Sequence, residues 1–191
     1  MTSRAMRRGG TTCAIAAIAA IAFVSTAFAA QAPIVAETFT HTTTTSSAWM
    51  LPAAPVGVNS ACLTASSDTS QTPIPGCGLG SPDPDGSGAL RLTSANNSEE
   101  GCVAFGQTLP TTRGLDVTFD TYQYGGNGAD GIGFFLAATD PTAPGPPTNI
   151  GQPGGDLGYA SGGGTGLDDG YLGIGIDVYG NYANGLLDGS G

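Results

Sequence analysis

Residues 114–124, GLDVTFDTYQY, alternate apolar and polar side chains, and two later runs, GIGFFLA (131–137) and GYLGIGIDVY (170–179), are strongly apolar. Alternation with period two marks a strand with one buried face, and a short apolar run between turn residues marks a strand buried on both. No long stretch repeats apolar residues at i, i+3, i+4 and i+7, so a helical protein is excluded. The 32 Gly and 13 Pro cut the remaining β-branched and aromatic runs short. That pattern predicts an all-β chain built as an antiparallel sandwich or barrel. Further strands are expected over 34–40 (IVAETFT) and 88–94 (GALRLTS), the latter in a hairpin with CVAFGQTL after the NNSEEG turn.

The first 29 residues read as a secretory signal peptide. Arg4, Arg7 and Arg8 form a basic start, Ala14 to Phe28 is apolar, and Ala27-Phe28-Ala29 offers a small-x-small cleavage site. The chain after that point is one domain, 30–191, by length, and is expected to be secreted or held at the cell surface. It keeps two Arg, Arg91 and Arg113, against fifteen Asp and Glu, a formal charge of −13. Such a surface repels phosphate backbones and anionic headgroups, which argues against nucleic acid and against membrane insertion. A cation or a neutral polar ligand such as a glycan or polysaccharide suits it better.

Three cysteines follow the leader. Cys62 and Cys77 flank a Ser/Thr/Pro-rich loop of the length a disulfide closes with advantage outside the cell. Cys102 is left over, as a buried thiol or as half of a bridge whose partner lies elsewhere. Asn96-Asn97-Ser98 is formally a glycosylation sequon.

Two core strands carry an Asp at one end: Asp130 before GIGFFLA, and Asp177 late in GYLGIGIDVY. Three chemistries could use that placement. GGNGADGIG (125–133) matches a calcium-binding nonapeptide, and GGTGLDDGY (163–171) nearly does, but that repeat works only in a tandem stack and the copies are far apart. A retaining glycoside hydrolase needs two carboxyls about 5 Å apart, and the strand that would carry them has Gly175 and Gly180 flanking Asp177. The one His, His41, lies in a Thr tract. No enzyme is expected, and no catalytic residue is assigned.

The third chemistry comes from a resemblance. GALRLTS, QTLP, LDVTFDTY, ADGIGFFLA, GGDLGYA and GIGIDVYGN, in that order between Gly88 and Asn181, resemble the legume-lectin-like (L-type) lectins, in particular secreted bacterial members of the concanavalin A-like superfamily. The resemblance implies a concanavalin A-like jelly-roll sandwich, incomplete at its C-terminus, that recognises glycan hydroxyls. It implies that Asp130 accepts hydrogen bonds from a sugar beside Gly131. The loop holding Gly154 and Gly155 would supply an N–H donor, and Tyr179 and Asn181 would lie nearby. It further implies a calcium site at Asp177, the Tyr179 carbonyl, Asn181 and Asp188. The family's transition-metal Glu is replaced by Gly175 and its His is missing, which leaves calcium alone. A structural or adhesive surface module that has lost sugar binding is the rival reading, and further domains of a larger surface protein would suit either.

Overall fold

The computed structural model describes residues 32–126, 128–139, 142 and 145–182. The expected leader and Asp188 lie outside them. The chain divides into two units, 1–33 and 34–191, and the elements below belong to the second. They are β1 (Trp49–Met50), β2 (Cys62–Leu63), β3 (Leu90–Arg91), β4 (Ala104–Phe105), β5 (Gly131–Ala137), a 3-10 turn at Gly154–Asp156, and β6 (Gly170–Asp177). They pair antiparallel as β1 with β4, β2 with β3, and β5 with β6.

These are three separate two-stranded sheets, and among the described residues none closes, curls or joins another. The expected antiparallel sandwich, the concanavalin A-like jelly roll, is therefore wrong. The L-type lectin resemblance and the carbohydrate-binding function that rested on it fall with the fold. The expected positions hold for β5 and β6, whose apolar runs find each other, and β3 and β4 are two-residue pieces inside the expected runs 88–94 and CVAFGQTL. Elsewhere the pattern promised ladders that do not form.

Side chains that capture backbone groups explain part of that difference, because such local bonds compete with a ladder. In 34–40 the Glu37 carboxylate accepts from the amides of Thr38, Phe39 and Thr45 and from the Thr45 hydroxyl, at 2.7–3.1 Å. Phe39 then turns to a φ of 55° and sets its ring edge-on to Trp49, which meets Phe105 the same way. The expected hairpin of 88–94 with the CVAFGQTL run is also wrong. Asn59 holds the return segment instead, donating to the Cys102 carbonyl and accepting from the Cys102 amide. β3 pairs with β2, and β4 with β1. The alternating run 115–124 is in no sheet, and Leu115, Val117 and Phe119 are half-exposed.

The best-buried side chains gather around the expected disulfide. Cys62 and Cys77 are joined, with Cα atoms 4.9 Å apart. Leu63 and Ile74 are fully enclosed, with Ala61 and Ala65 beside them. The Leu63 amide donates to the Pro75 carbonyl, and the Leu63 carbonyl accepts from Cys77. A second buried group, Ile150 and Leu167, sits where residues 148–150 bond to Ala53. Cys102 is a free thiol, and burial pushes it up to about 12.

With so few enclosed side chains, the covalent closure carries much of the stability. Reduction, or the double substitution Cys62→Ser/Cys77→Ser, should lower unfolding stability by about 3 kcal/mol, as expected for a loop of this length. Urea unfolding with and without reductant reads this directly. Coincident midpoints would show that the core holds without the bridge.

Candidate functional site

The β5–β6 pair organises the region that sequence singled out. Its register runs from Gly131 opposite Asp177 to Leu136 opposite Leu172, with an irregularity before Ala137, which faces Gly170. Two bonds prolong it: Val178 donates to the Asp130 carbonyl, and Ala138 to the Asp169 carbonyl. Side chains alternate across a strand, so the faces can be read from the pairing. Gly131, Gly133 and Phe135 share one face with Gly173, Gly175 and Asp177. Ile132, Phe134 and Leu136 share the other with Leu172, Ile174 and Ile176.

The glycine face is covered. The loop around the 3-10 turn folds on itself through bonds from Gly151 to Gly158, from Gly158 to Gln152 and from Gln152 to Ala160. It brings the Leu157 carbonyl over Gly133, where a Cβ would come within 2.9 Å of that oxygen. On β6, a Cβ at Gly175 would lie 2.6 Å from the Tyr182 ring, and one at Gly173 would lie 2.8 Å from the Tyr159 ring. The two tyrosines meet edge to face, 6.2 Å between centroids. Glycine at alternate positions of a strand marks a close approach, and here the approaching groups are aromatic rings. That signal was present in GYLGIGID but did not say what approached. Tyr159, Tyr182 and Leu157 were missed for that reason.

The structure brings most of the expected site residues to one corner. Gly131 pairs with Asp177. The Asp130 carboxylate faces Gly154, where a Cβ would be 3.9 Å from Oδ2, and Gly155 lies against the Asn181 side chain. The Ala129–Asp130 peptide is cis. The Asp177 carboxylate accepts the Tyr179 amide at 2.8 Å through Oδ1 and the Tyr182 amide at 2.7 Å through Oδ2. It thereby turns the chain back so that Tyr182 reaches the glycine face, while Tyr179 points outward, 62% exposed. The Tyr182 amide, with that of Tyr179, holds the Asp177 carboxyl below its ordinary range. At the far end Asp168 does similar work. Its Oδ2 accepts from the Thr148 hydroxyl and amide and from the Asn149 amide and side chain, and the Thr148 hydroxyl leads in lowering its pKa.

Calcium takes about six to eight oxygen ligands. Among the described residues no group of three or more His, Cys, Asp or Glu converges. Both Asp177 oxygens already accept backbone N–H, and the position of the family's Glu, Gly175, is a slot for an aromatic ring. In the described residues the Asp177 carboxylate holds a loop. No family model, no curated protein and no solved structure matches the chain.

Two measurements check this geometry. Because the folded pKa of Asp177 is depressed, its stabilisation is complete above the unfolded value of about 3.9 and is lost as pH falls through the folded value. The Tyr179 and Tyr182 amide resonances should therefore titrate with a midpoint below about 3.9. A midpoint at or above it would mean that the carboxylate does not cap the loop. Separately, Gly175→Ala should cost about 1–3 kcal/mol by overpacking against Tyr182. In a Tyr182→Ala background the same change should cost little, a non-additivity that a double-mutant cycle resolves. Additive costs would place the ring elsewhere.

Proposed function

We propose that this chain is a non-catalytic structural or adhesive module, secreted or held at the cell surface, that works by presenting one face of β5–β6 to another macromolecule. The single observation that carries the reading is the asymmetry of that pair. Its glycine face is roofed by loops, while on the other face Leu172, Ile174 and Ile176 are 42%, 51% and 45% exposed. A two-stranded ribbon is marginal by itself, and a contiguous apolar patch on a protein surface marks an interaction site.

The non-catalytic part rests on the residues at hand. Gly175 and Gly180 occupy the positions that paired carboxylates would need, and His41 is engaged by Asp85 at 3.1 Å on the surface. Export is supported by the leader-like sequence and by the Cys62–Cys77 bridge, which suits an oxidising compartment. No helix of the described residues is long and apolar enough to cross a membrane. Calcium remains a proposal for the Asp177 loop. Added calcium should shift the Tyr179 and Tyr182 amide resonances if the ion binds there, and leave them in place if Asp177 is only a cap.

The test is retention at the producing cell's surface. Ile174→Ser/Ile176→Ser should release most of the protein into the medium while changing folding stability by no more than about 1 kcal/mol, since both side chains are half in solvent already. Retention equal to that of the unsubstituted chain would sink the reading.

A further inference from the structure

The β5–β6 pair has an open edge as well as an open face. Val178 donates to the Asp130 carbonyl, which makes Asp130 and Val178 a hydrogen-bonded pair, and in an antiparallel ladder such pairs recur at every second residue. Ile132, Phe134 and Leu136 therefore direct their backbone groups at β6. Those of Gly131, Gly133 and Phe135 point the other way, along the outer edge of β5, and among the described residues none of them is bonded there. A row of unpaired N–H and C=O groups is a template for another strand.

One segment of the same chain is placed to fill that edge. Residues 115–124 form no backbone hydrogen bond with another described residue, none has a positive φ, and all are exposed. The run meets β5 where the Phe119 ring stacks on Phe134, with centroids 5.8 Å apart and planes 21° apart. Residues 123–130 link the two, and Gly125, Gly126 and Gly128 take the positive φ that reverses the chain there. With Phe119 opposite Phe134, an antiparallel register sets Val117 beside Leu136 on the apolar face. Thr118, Asp120 and Tyr122 then stand opposite Phe135, Gly133 and Gly131, the residues whose edge groups are free. Phe119 and Phe134 become a non-hydrogen-bonded pair, the type that brings side chains closer, as their stacked rings require. We propose that residues 117–122 are a strap that closes on β5 as a third antiparallel strand, pivoting about the Phe119–Phe134 stack. Closure pairs the β5 edge, which keeps it from other chains, and brings Val117 in line with Leu136. The strap acts on the edge, so it closes whether or not the apolar face docks a partner.

Amide hydrogen exchange of the full chain, read residue by residue, tests this without any substitution. Backbone direction alternates along a strand, so the amides of Thr118, Asp120 and Tyr122 should point at β5. They should be protected at least about tenfold over those of Val117, Phe119 and Thr121 once intrinsic rates are removed. The alternation should be the same in dilute and in concentrated protein. Thr118→Pro removes a donor from the middle of the new ladder and should bring Asp120 and Tyr122 down to the level of their neighbours. Val117→Pro, whose N–H points away from β5, should leave the alternation in place. No protection at any of these amides would overturn the strap. Equal protection of both sets, which is burial without pairing, would overturn it too, as would protection that survives Thr118→Pro. Alternation seen only in concentrated protein would give the β5 edge to a second copy and overturn closure within one chain.

Discussion

The Cys62–Cys77 bridge is the constraint on which the rest depends. It closes a loop around Leu63 and Ile74, the two large side chains most completely enclosed, in a chain whose sheets are too small to bury much else. Segments that form no long ladder are then hung on this centre by side chains that bond to backbone. Glu37 gathers residues 38–45, Asn59 holds Cys102, and Glu100 accepts the Val56 amide. Each such bond is worth little alone, about 1 kcal/mol net. A covalent link that removes unfolded conformations makes a fold assembled from them tenable.

The second organising fact is the unequal treatment of the two faces of β5–β6. Glycines at 173 and 175 admit Tyr159 and Tyr182, and the Asp177 carboxylate bends the chain that delivers Tyr182. The Asp177 carboxylate caps this loop, and Gly175 is a packing slot for the Tyr182 ring. The opposite face has Phe119 on Phe134 and otherwise stands open along β6. Covering one side while leaving the other apolar gives the pair a direction. That directionality, more than any single residue, supports a role in docking.

Several features are legible in the sequence. The runs 131–137 and 170–179 announced the longest strands, and the structure places β5 and β6 there and pairs them. The loop between Cys62 and Cys77 announced the bridge. The structure brings Asp130, Gly131, Gly154, Gly155, Asp177 and Asn181 to one corner, although the sugar-binding purpose the resemblance attached to them does not survive the loss of the sandwich. The run 114–124 gave the cleanest alternation and yielded no strand. Alternation says which side chains would share a face, not whether a second backbone lies within hydrogen-bonding distance.

Local chemistry is written residue by residue: where a strand is favoured, where a turn is needed, where an acid will cap a loop, which cysteines are close enough in sequence to join. All of that the sequence determined by itself, together with the acidic, cation-free character of the second half of the chain. Pairing is a different kind of fact. β2 choosing β3, β4 choosing β1, Tyr182 filling the glycine face, and one side of β5–β6 being left in solvent were decided only by the tertiary structure. Each depends on which distant segments arrive together, and on side chains such as Glu37 and Asn59 capturing backbone groups that a ladder would otherwise use.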